Sequence, residues 1–330
     1  MSELATAVFA AQAGSHLLAA PRTARFAAFA RAFDEASYRT DLTARGYRWV
    51  SRRDAGFPAL LGSIHDPPPG LFVRGTAPLD LLERPAVAVV GARSCSPYGS
   101  SVATSLAREL ASAGVVVVSG LARGVDAAAH RGAIEAGATV AVLGCGIDRD
   151  YPRAHAALAA ELVRLGLVVS EYPPGVEPAP WRFPARNRIV AGLARATVVV
   201  EARERSGALI TADLALDEGR EVLAVPGEIT SQLSRGTNAL LRLGATPVTC
   251  AADVLAAIGI EPAPPAAPPP LAGSAARVFA AVADAPLGAD ELVRRTGLSA
   301  GEVAATLAEL ELAGLVSQAA GLYREVMPRL

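Results

Sequence analysis

The sequence predicts an α/β protein: an extended Rossmann-like, doubly wound parallel sheet, with a small helical N-terminal domain and a C-terminal winged-helix domain. Two observations predict the sheet. Seven short β-branched runs alternate with amphipathic helical segments, and the runs are continuously apolar, as expected for strands covered by helices on both faces. The runs are Val87 to Val90, Val115 to Val118, Thr139 to Leu143, Leu167 to Ser170, Thr197 to Glu201, Glu221 to Val225 and Thr246 to Val248.

Changes in composition divide the chain into four predicted segments. Residues 1–80 are rich in Ala and Arg with helical spacing, and lead through the proline run 66–70 as a connector. The Rossmann-like domain is expected over 81–258, and a proline-rich linker over 259–273. Residues 274–330 contain three helical segments and a hairpin pattern, which together predict a winged helix.

The charge of the last segment argues against direct reading of DNA by that domain. Residues 274–330 carry five Arg against seven Asp plus Glu. Its third helix begins with a capping box, Ser299 with Glu302, and adds Glu309 and Glu311 without a basic residue. A DNA groove would repel such a helix, so we expect a protein-contact or structural role.

Composition excludes several classes of function. With 330 residues and 52% apolar content the chain can bury a large core, and its net charge of −1 means that any polyanion must be held by a local patch. The chain has no lysine, which excludes a Walker-type phosphate loop and Schiff-base chemistry. The three cysteines lie far apart, and the first residues include neither a basic leader nor a membrane span. We therefore expect a cytoplasmic protein without membrane contact.

Small and polar residues follow most of the predicted strands. Because right-handed crossovers bring the carboxyl ends of parallel strands to one edge, these residues should form one binding surface. They are Gly91-Ala-Arg93-Ser94, Ser119-Gly120, Gly144-Cys-Gly146, Glu171, Glu201-Ala-Arg203 and Pro226-Gly227.

One turn of this set, residues 119–131, is the most informative. Ser119 and Gly120 end a strand, and Asp126 is expected to cap the helix that follows. Backbone N–H groups and Arg123 would then point at one anion. Arg93 is placed to reach a phosphate at the Gly91 turn, although a solvated loop arginine is the alternative.

Three further strand-end segments offer weaker signals. Gly144 and Gly146 lack the third glycine of a dinucleotide fingerprint, and we interpret them as allowing close approach of a phosphate. Tyr151 and Arg153 add a ring and a charge, although Pro152 between them also fits a simple helix start. The segment 206–211 suits an anion, with ordinary capping by Ser206 as the alternative.

The stretch Trp181 to Ile189 interleaves arginines with aromatic residues. Its guanidinium groups, on Arg182, Arg186 and Arg188, would neutralise phosphates while its rings stack on splayed bases. The alternative is a surface helix whose aromatic side chains fill the core. Together with the strand-end cluster, the stretch favours single-stranded nucleic acid.

Catalysis and metal binding find less support in the sequence. Ser119, Asp126 and His130 resemble a triad, but an acid and a histidine four residues apart on one helix are more often a cap and a surface residue. Glu171 and Glu201 are a possible carboxylate pair. The four histidines are scattered, and neither an HExxH nor a CxxC pattern occurs. We expect a non-enzymatic protein that needs no metal or cofactor.

Six motifs resemble the DNA-processing protein A (DprA, or Smf) family in order and spacing, over roughly residues 55–255. They are Val87-Ala-Val-Val-Gly-Ala-Arg93, Ser119-Gly-Leu-Ala-Arg-Gly-Val-Asp-Ala-Ala-Ala-His130, Gly144-Cys-Gly-Ile-Asp148 with Tyr151-Pro152, Ser170-Glu-Tyr-Pro-Pro-Gly175, Phe183-Pro-Ala-Arg-Asn-Arg-Ile189 and Ser206-Gly-Ala-Leu-Ile-Thr-Ala212.

The resemblance implies a homodimer that binds single-stranded DNA without sequence preference, protects incoming DNA and loads the RecA recombinase in natural transformation (competence). By position, Arg93 corresponds to the phosphate-binding arginine of the family. Here Ala92 replaces the usual hydroxyl residue. The N-terminal region shows no Gly-Ile-Gly type hairpin of the kind that the family often carries.

The predicted function is therefore single-stranded DNA binding, with RecA as protein partner. The predicted DNA contacts are Gly91, Arg93, Ser94, Ser119, Gly120, Arg123, Gly124, Gly144, Gly146, Tyr151, Arg153, Phe183, Arg186, Asn187, Arg188, Ser206, Gly207 and Thr211. One alternative is a nucleotide-processing hydrolase similar to lysine-decarboxylase-like phosphoribohydrolases, although residues 206–213 do not reproduce their Pro-Gly-Gly-x-Gly-Thr-x-x-Glu loop. Another is a scaffold that binds RecA alone.

Overall fold

A nine-stranded sheet is the main element of the computed structural model, which describes residues 2–13, 23–261, 271–319 and 321–325. Its strands are β1 Tyr47–Ser51, β2 Gly70–Arg74, β3 Ala86–Val90, β4 Val116–Ser119, β5 Thr139–Val142, β6 Leu167–Ser170, β7 Ala196–Val199, β8 Glu221–Ala224 and β9 Thr246–Pro247. Their order across the sheet is β1-β2-β6-β5-β4-β3-β7-β8-β9. All seven predicted runs lie in it and pair in parallel, so the predicted fold class is confirmed.

Helices cover both faces of this sheet, as the continuously apolar strands predicted. They are α1 Glu3–Ala13, α2 Ala24–Ala32, α3 Glu35–Ala44, α4 Ala59–Gly62, α5 Pro97–Ser112, α6 Val125–Ala136, α7 Ala156–Leu165, α8 Arg182–Leu193, α9 Gly207–Asp217, α10 Arg235–Arg242 and α11 Ala251–Ala257, with 3-10 turns at Leu79–Leu82 and Arg153–His155. Helices α4, α8, α9 and α10 share one core with the sheet. Helices α1, α3, α6 and α7 pack around a second core.

Local sequence explains where the helices near the carboxyl edge begin. Ser96 caps α5 by accepting a bond from Gly99 N, and Pro97 occupies the first turn, where its missing N–H costs nothing. Ser206 caps α9 through Ala208 N, which is the alternative that the sequence left open for this residue. The starts of both helices are therefore fixed beside the ends of β3 and β7.

The region before residue 80 differs from the prediction, because it contains strands as well as helices. β1 and β2 pair with each other and, through β2, with β6, all antiparallel. Phe72 of β2 is fully buried in the same core as Leu4 and Val8 of α1. Gly70 leaves room for the Trp49 ring, which a Cβ atom there would strike. Pairing with β6 and this shared core hold the region on the sheet.

The chain separates into two compact units, Met1–Pro262 and Ala263–Leu330. The predicted boundary near residue 80 falls inside the first unit. Of the predicted linker, residues 262–270 lie outside the described residues. Among the described residues, no helix has the length and apolar character needed to cross a lipid bilayer.

The second unit contains three helices and a hairpin, in the predicted order. They are α12 Gly273–Asp284, α13 Ala289–Thr296, α14 Ala300–Leu312, β10 Val316–Ala319 and β11 Leu322–Glu325. Val278, Leu292 and Leu307 lie at the centre of its small core. Ser299 and Glu302 form the predicted capping box at the start of α14.

Candidate nucleic-acid interface

The sheet has one topological switch point, between β3 and β7. From β3 the chain runs through β4, β5 and β6 on one side, then returns to β7 on the other side of β3. Connections that leave neighbouring strands in opposite directions open a crevice at the carboxyl ends, where open α/β sheets bind their ligands. A cleft of about 520 Å³ lies there.

The cleft brings together residues that the sequence placed on four separate segments. The segments follow β3, β4 and β7 or belong to α8. The predicted residues that line the cleft are Gly91, Arg93, Ser94, Gly120, Phe183, Arg186, Asn187, Ser206, Gly207 and Thr211. The predicted residues outside its lining are Ser119, Arg123, Gly124, Gly144, Gly146, Tyr151, Arg153 and Arg188. The strand-end prediction therefore located the cleft, but not each residue's part in it.

Arg93 and two aromatic rings form a stack at the rim. The rings of Tyr151 and Phe183 lie 5.4 Å apart at 28°, and the Arg93 guanidinium carbon lies 5.5 Å from the Phe183 centroid. Arg93 is exposed and Tyr151 is 42% exposed. A guanidinium held over a ring next to an accessible ring offers both a phosphate contact and a base-stacking surface.

The predicted role of Gly144 and Gly146 is wrong, because protein atoms occupy the space that they leave. A Cβ atom on Gly144 would lie 3.0 Å from Cδ1 of Phe183, so this glycine admits the Phe183 ring. A Cβ atom on Gly146 would lie 2.7 Å from Oδ1 of Asp148. By contrast, a Cβ atom on Gly207 would meet nothing within 4 Å, so the start of α9 can be approached closely.

Asp126 does not cap α6, as the sequence had suggested. The residue before the helix is Gly124, at φ +75°, and no side chain caps that end. Asp126 Oδ2 instead accepts bonds from Gly120 N (3.1 Å) and Ala122 N (3.3 Å). These two N–H groups are satisfied internally and do not await an anion. Burial raises the pKa of the Asp126 carboxyl, against the effect of Arg186 and these N–H groups.

Ser119 and His130, the other two triad-like residues, also have hydrogen-bond partners within the protein. Ser119 is fully buried, and its hydroxyl donates to Val89 O at 2.7 Å. Nδ1 of the buried His130 lies 2.8 Å from Thr139 Oγ1, and burial lowers the pKa of His130 to about 3. Ser119 therefore joins two strands and is not a DNA contact.

Arg186 lies beneath the cleft and is only 4% exposed. Its Nη1 donates to Gly120 O (2.8 Å) and to Val142 O, so it ties α8 to the ends of β4 and β5. Beside it, Asn187 Nδ2 donates to Gly207 O at 3.3 Å. Arg186 brings positive charge to the base of the cleft, but its fixed hydrogen bonds are to the protein.

The contacts of Arg188 contradict the prediction that this residue binds phosphate. Its Nη1 and Nη2 donate to the two carboxylate oxygens of Glu171, at 3.0 and 2.8 Å. Its Nε donates to Asp66 Oδ2 at 3.0 Å. A guanidinium that is 9% exposed and bonded to two carboxylates is a structural cation.

Other exposed arginines lie in the segments that follow β4, β5 and β7, some inside and some outside the cleft lining. Arg123 and Arg153 are exposed, as their predicted role requires. Arg203 and Arg205 line the cleft after β7 and are also exposed. The sequence placed Arg203 in the strand-end set but not among the DNA contacts, and it did not select Arg205, which the same strand-end rule would have found. Within the described ranges, no group of His, Cys, Asp and Glu side chains is arranged to hold a metal ion.

Comparison with known proteins agrees with this architecture. Residues 48–259 match the family described as DNA recombination-mediator protein A, and residues 261–321 match the DprA winged helix domain. A putative DNA processing protein DprA from Mycobacterium tuberculosis is 45% identical, over 77% of this chain and 68% of its own length. Protein Smf from Escherichia coli is 39% identical, over 81% of this chain and 74% of its own.

Two solved structures are similar to the chain. DNA processing protein A from Streptococcus pneumoniae superposes with a TM-score of 0.66 at 39% identity, covering 77% of this chain and 92% of that one. DNA processing protein A from Helicobacter pylori, described for its single-stranded DNA binding mode, gives 0.58 at 32% identity, over 64% and 94%. The chain therefore belongs to the DNA recombination-mediator protein A family, also called DprA or Smf.

Proposed function

We propose that this chain binds single-stranded DNA without sequence preference at the switch-point cleft and acts as a recombination mediator that loads RecA. The observation that carries the proposal is the set of exposed arginines around the cleft beside an accessible aromatic stack. The single-stranded DNA binding of the Helicobacter pylori relative supports it.

The binding mechanism is electrostatic. Arg93, Arg123, Arg203 and Arg205 neutralise successive phosphates, since all four are exposed at the carboxyl ends of neighbouring strands. Gly207 lets a phosphate approach the first turn of α9, where the helix dipole favours an anion. None of these groups reads a base edge, so the affinity is independent of sequence.

The same geometry selects single strands. The Phe183 ring contacts both Tyr151 and Arg93, so the exposed Tyr151 ring offers the more open stacking area of this group. A base reaches it only when splayed out of its pair. A cleft of about 520 Å³ is large enough to admit a nucleotide.

The experiment that tests this function measures binding of oligo-dT and of a hairpin duplex across a salt series. We expect tighter binding of the single strand, and a loss of affinity in Arg203→Ala/Arg205→Ala. The matched control is Arg84→Ala, because Arg84 is exposed but precedes β3 at the opposite edge of the sheet. Equal binding of both DNAs, or equal losses in both variants, would contradict the proposal.

The contacts of the candidate catalytic residues disfavour the hydrolase alternative. Glu201 accepts bonds from Ser96 N (2.8 Å) and Ser96 Oγ (2.5 Å) at the start of α5, and Glu171 holds Arg188. Both carboxylates are therefore engaged in the fold. We propose a non-enzymatic protein; release of free base from nucleoside monophosphates by the purified chain would overturn that part.

The protein partners belong to the same proposal. We propose a cytoplasmic homodimer that hands DNA to RecA during natural transformation. Ile210 and Leu216 on α9 and Leu243 after α10 are 42%, 56% and 85% exposed, which supports a protein contact on this side. Leu216→Glu/Leu243→Glu should shift the mass in light scattering from dimer to monomer.

We also propose the division of the chain into the four segments 1–80, 81–258, 259–273 and 274–330. The acidic winged helix of the last segment is proposed to contact another protein.

A further inference from the structure

Strand order arranges the candidate DNA contacts in a row along the carboxyl edge. Phe183 packs on Gly144 at the end of β5, Arg123 follows β4, and Arg93 follows β3. Arg203 and Arg205 follow β7, the next strand across. Aromatic rings therefore lie at the β5 end of the row and arginines along its middle.

Tyr98 lies at the β8 end of this row. It belongs to the first turn of α5, which follows β3, yet its hydroxyl donates to Pro226 O beyond β8 at 3.4 Å. The side chain therefore reaches past the end of β7 to the end of β8. Tyr98 is 54% exposed although its hydroxyl has a protein partner. An anchored, exposed ring loses little conformational entropy when something stacks on it.

The backbone that carries Tyr98 is rigid. Ser96 caps the helix and is held by both carboxylate oxygens of Glu201, and Pro97 fixes the next φ angle. Gly99 packs directly on the Glu201 carboxylate. The loop that presents Arg93 and the turn that presents Tyr98 are therefore parts of one segment, which Glu201 holds at the start of α5.

We infer that Tyr98 is a second base-stacking platform, which receives the end of the single strand opposite Phe183 and Tyr151. The inference rests on the proposed function and adds to it the path of the bound strand along the sheet edge and the number of nucleotides bound. Four strand intervals separate β5 from β8, about 19 Å at about 4.8 Å each. At about 3.4 Å per stacked nucleotide this distance spans about six nucleotides, and fewer when the chain is extended.

Charge complementarity favours DNA as the ligand of the surface around Tyr98. The nearest members of the row are the exposed cations Arg93, Arg203 and Arg205, which attract a phosphate backbone. Ile229, in the loop after β8, is 92% exposed and would suit a protein partner instead. A protein contact is therefore the competing outcome of the test.

The direct test is photocrosslinking of the full chain to oligo-dT that carries 5-iodouracil at one position. Iodouracil forms crosslinks with aromatic rings that stack on it, and peptide mapping identifies the ring. We expect crosslinks to Tyr98 from one end of the bound strand and to Tyr151 or Phe183 from the other. Crosslinks to Tyr151 or Phe183 from every position, with none to Tyr98, would overturn the inference and leave the proposed function intact.

Affinity measurements give a second readout. Tyr98→Ala should weaken binding of an eight-nucleotide oligo-dT about fivefold or more, since one stack contributes roughly a five- to hundredfold change. Tyr98→Phe should bind as wild type, because it keeps the ring. Leu165→Ala is the control, because Leu165 is an exposed apolar side chain just before β6, at the amino edge of the sheet.

The outcomes separate the two proposals. An unchanged affinity in Tyr98→Ala with an altered mass in light scattering would identify a protein contact and overturn the inference. An unchanged affinity and mass would also overturn it. Failure of the wild-type chain to bind any single strand would instead remove the proposed function on which it rests.

Discussion

Helix α8 and the strand-end loops both carry arginines that fit a nucleic-acid site, but the structure uses them differently. Arg186 and Arg188 on α8 are buried and bonded to carbonyl or carboxylate oxygens of the protein. Arg93 and Arg203 on the loops are exposed at the cleft. The comparison teaches that an arginine-rich motif can maintain the shape of a site while other arginines contact its ligand.

The largest effect on stability should come from the buried arginines of α8. Arg188→Ala leaves the Glu171 carboxylate buried without its cation, which typically costs about 3–5 kcal/mol of unfolding free energy. Urea unfolding followed by circular dichroism measures the loss. The Glu171→Met/Arg188→Met double variant should regain part of this stability because it removes the unpaired Glu171 carboxylate, although Asp66 still loses its bond from Arg188. A fully stable Arg188→Ala with weaker DNA binding would reverse the assignment.

Phe183 sharpens the comparison because it lies on α8 yet is only partly buried. Phe183→Ala removes the ring that supports Tyr151 and Arg93, and should weaken single-strand binding by about 1–3 kcal/mol. The salt dependence should change little, since the ring contacts no phosphate. Phe183→Tyr, which keeps the ring, is the control. A large fall in the salt slope of Phe183→Ala would show that the ring acts mainly through Arg93.

Acid should also reduce the stability of the fold, through the buried His130 of α6. With its pKa lowered to about 3 by burial, His130 stays neutral in the fold but protonates in the unfolded chain below about pH 6.5. The unfolded state then binds one more proton, so stability falls by about 1.4 kcal/mol per pH unit as the pH drops from 6.5 toward 3.

The difference between wild type and His130→Gln, measured between pH 6.5 and 5 by urea unfolding, isolates this effect from that of the carboxylates. The wild type should lose more stability than the variant over this interval. His65→Gln, which changes an exposed histidine, should behave as wild type. Parallel curves for wild type and His130→Gln would mean that His130 titrates normally.

Sequence reasoning predicted the sheet because each central strand is a continuous β-branched run, and it predicted the start of α14 because Ser299 and Glu302 form a local capping box. It missed β1 and β2, since β2 is placed by its pairing with β6 and β1 by its pairing with β2, and both pairings join segments distant in sequence. It located the cleft because strand ends meet at one edge. It could not assign Arg188, whose partner Glu171 follows β6, because burial depends on tertiary packing.

The central claim is that exposed strand-end arginines bind DNA while the buried arginines of α8 maintain the fold. The most direct measurement is the salt dependence of oligo-dT binding by Arg93→Ala beside the Glu171→Met/Arg188→Met double variant. The account predicts a slope shallower by about 0.7 for Arg93→Ala, as expected for one lost phosphate contact, and the wild-type slope for the double variant. A wild-type slope in Arg93→Ala together with a shallower one in the double variant would contradict it.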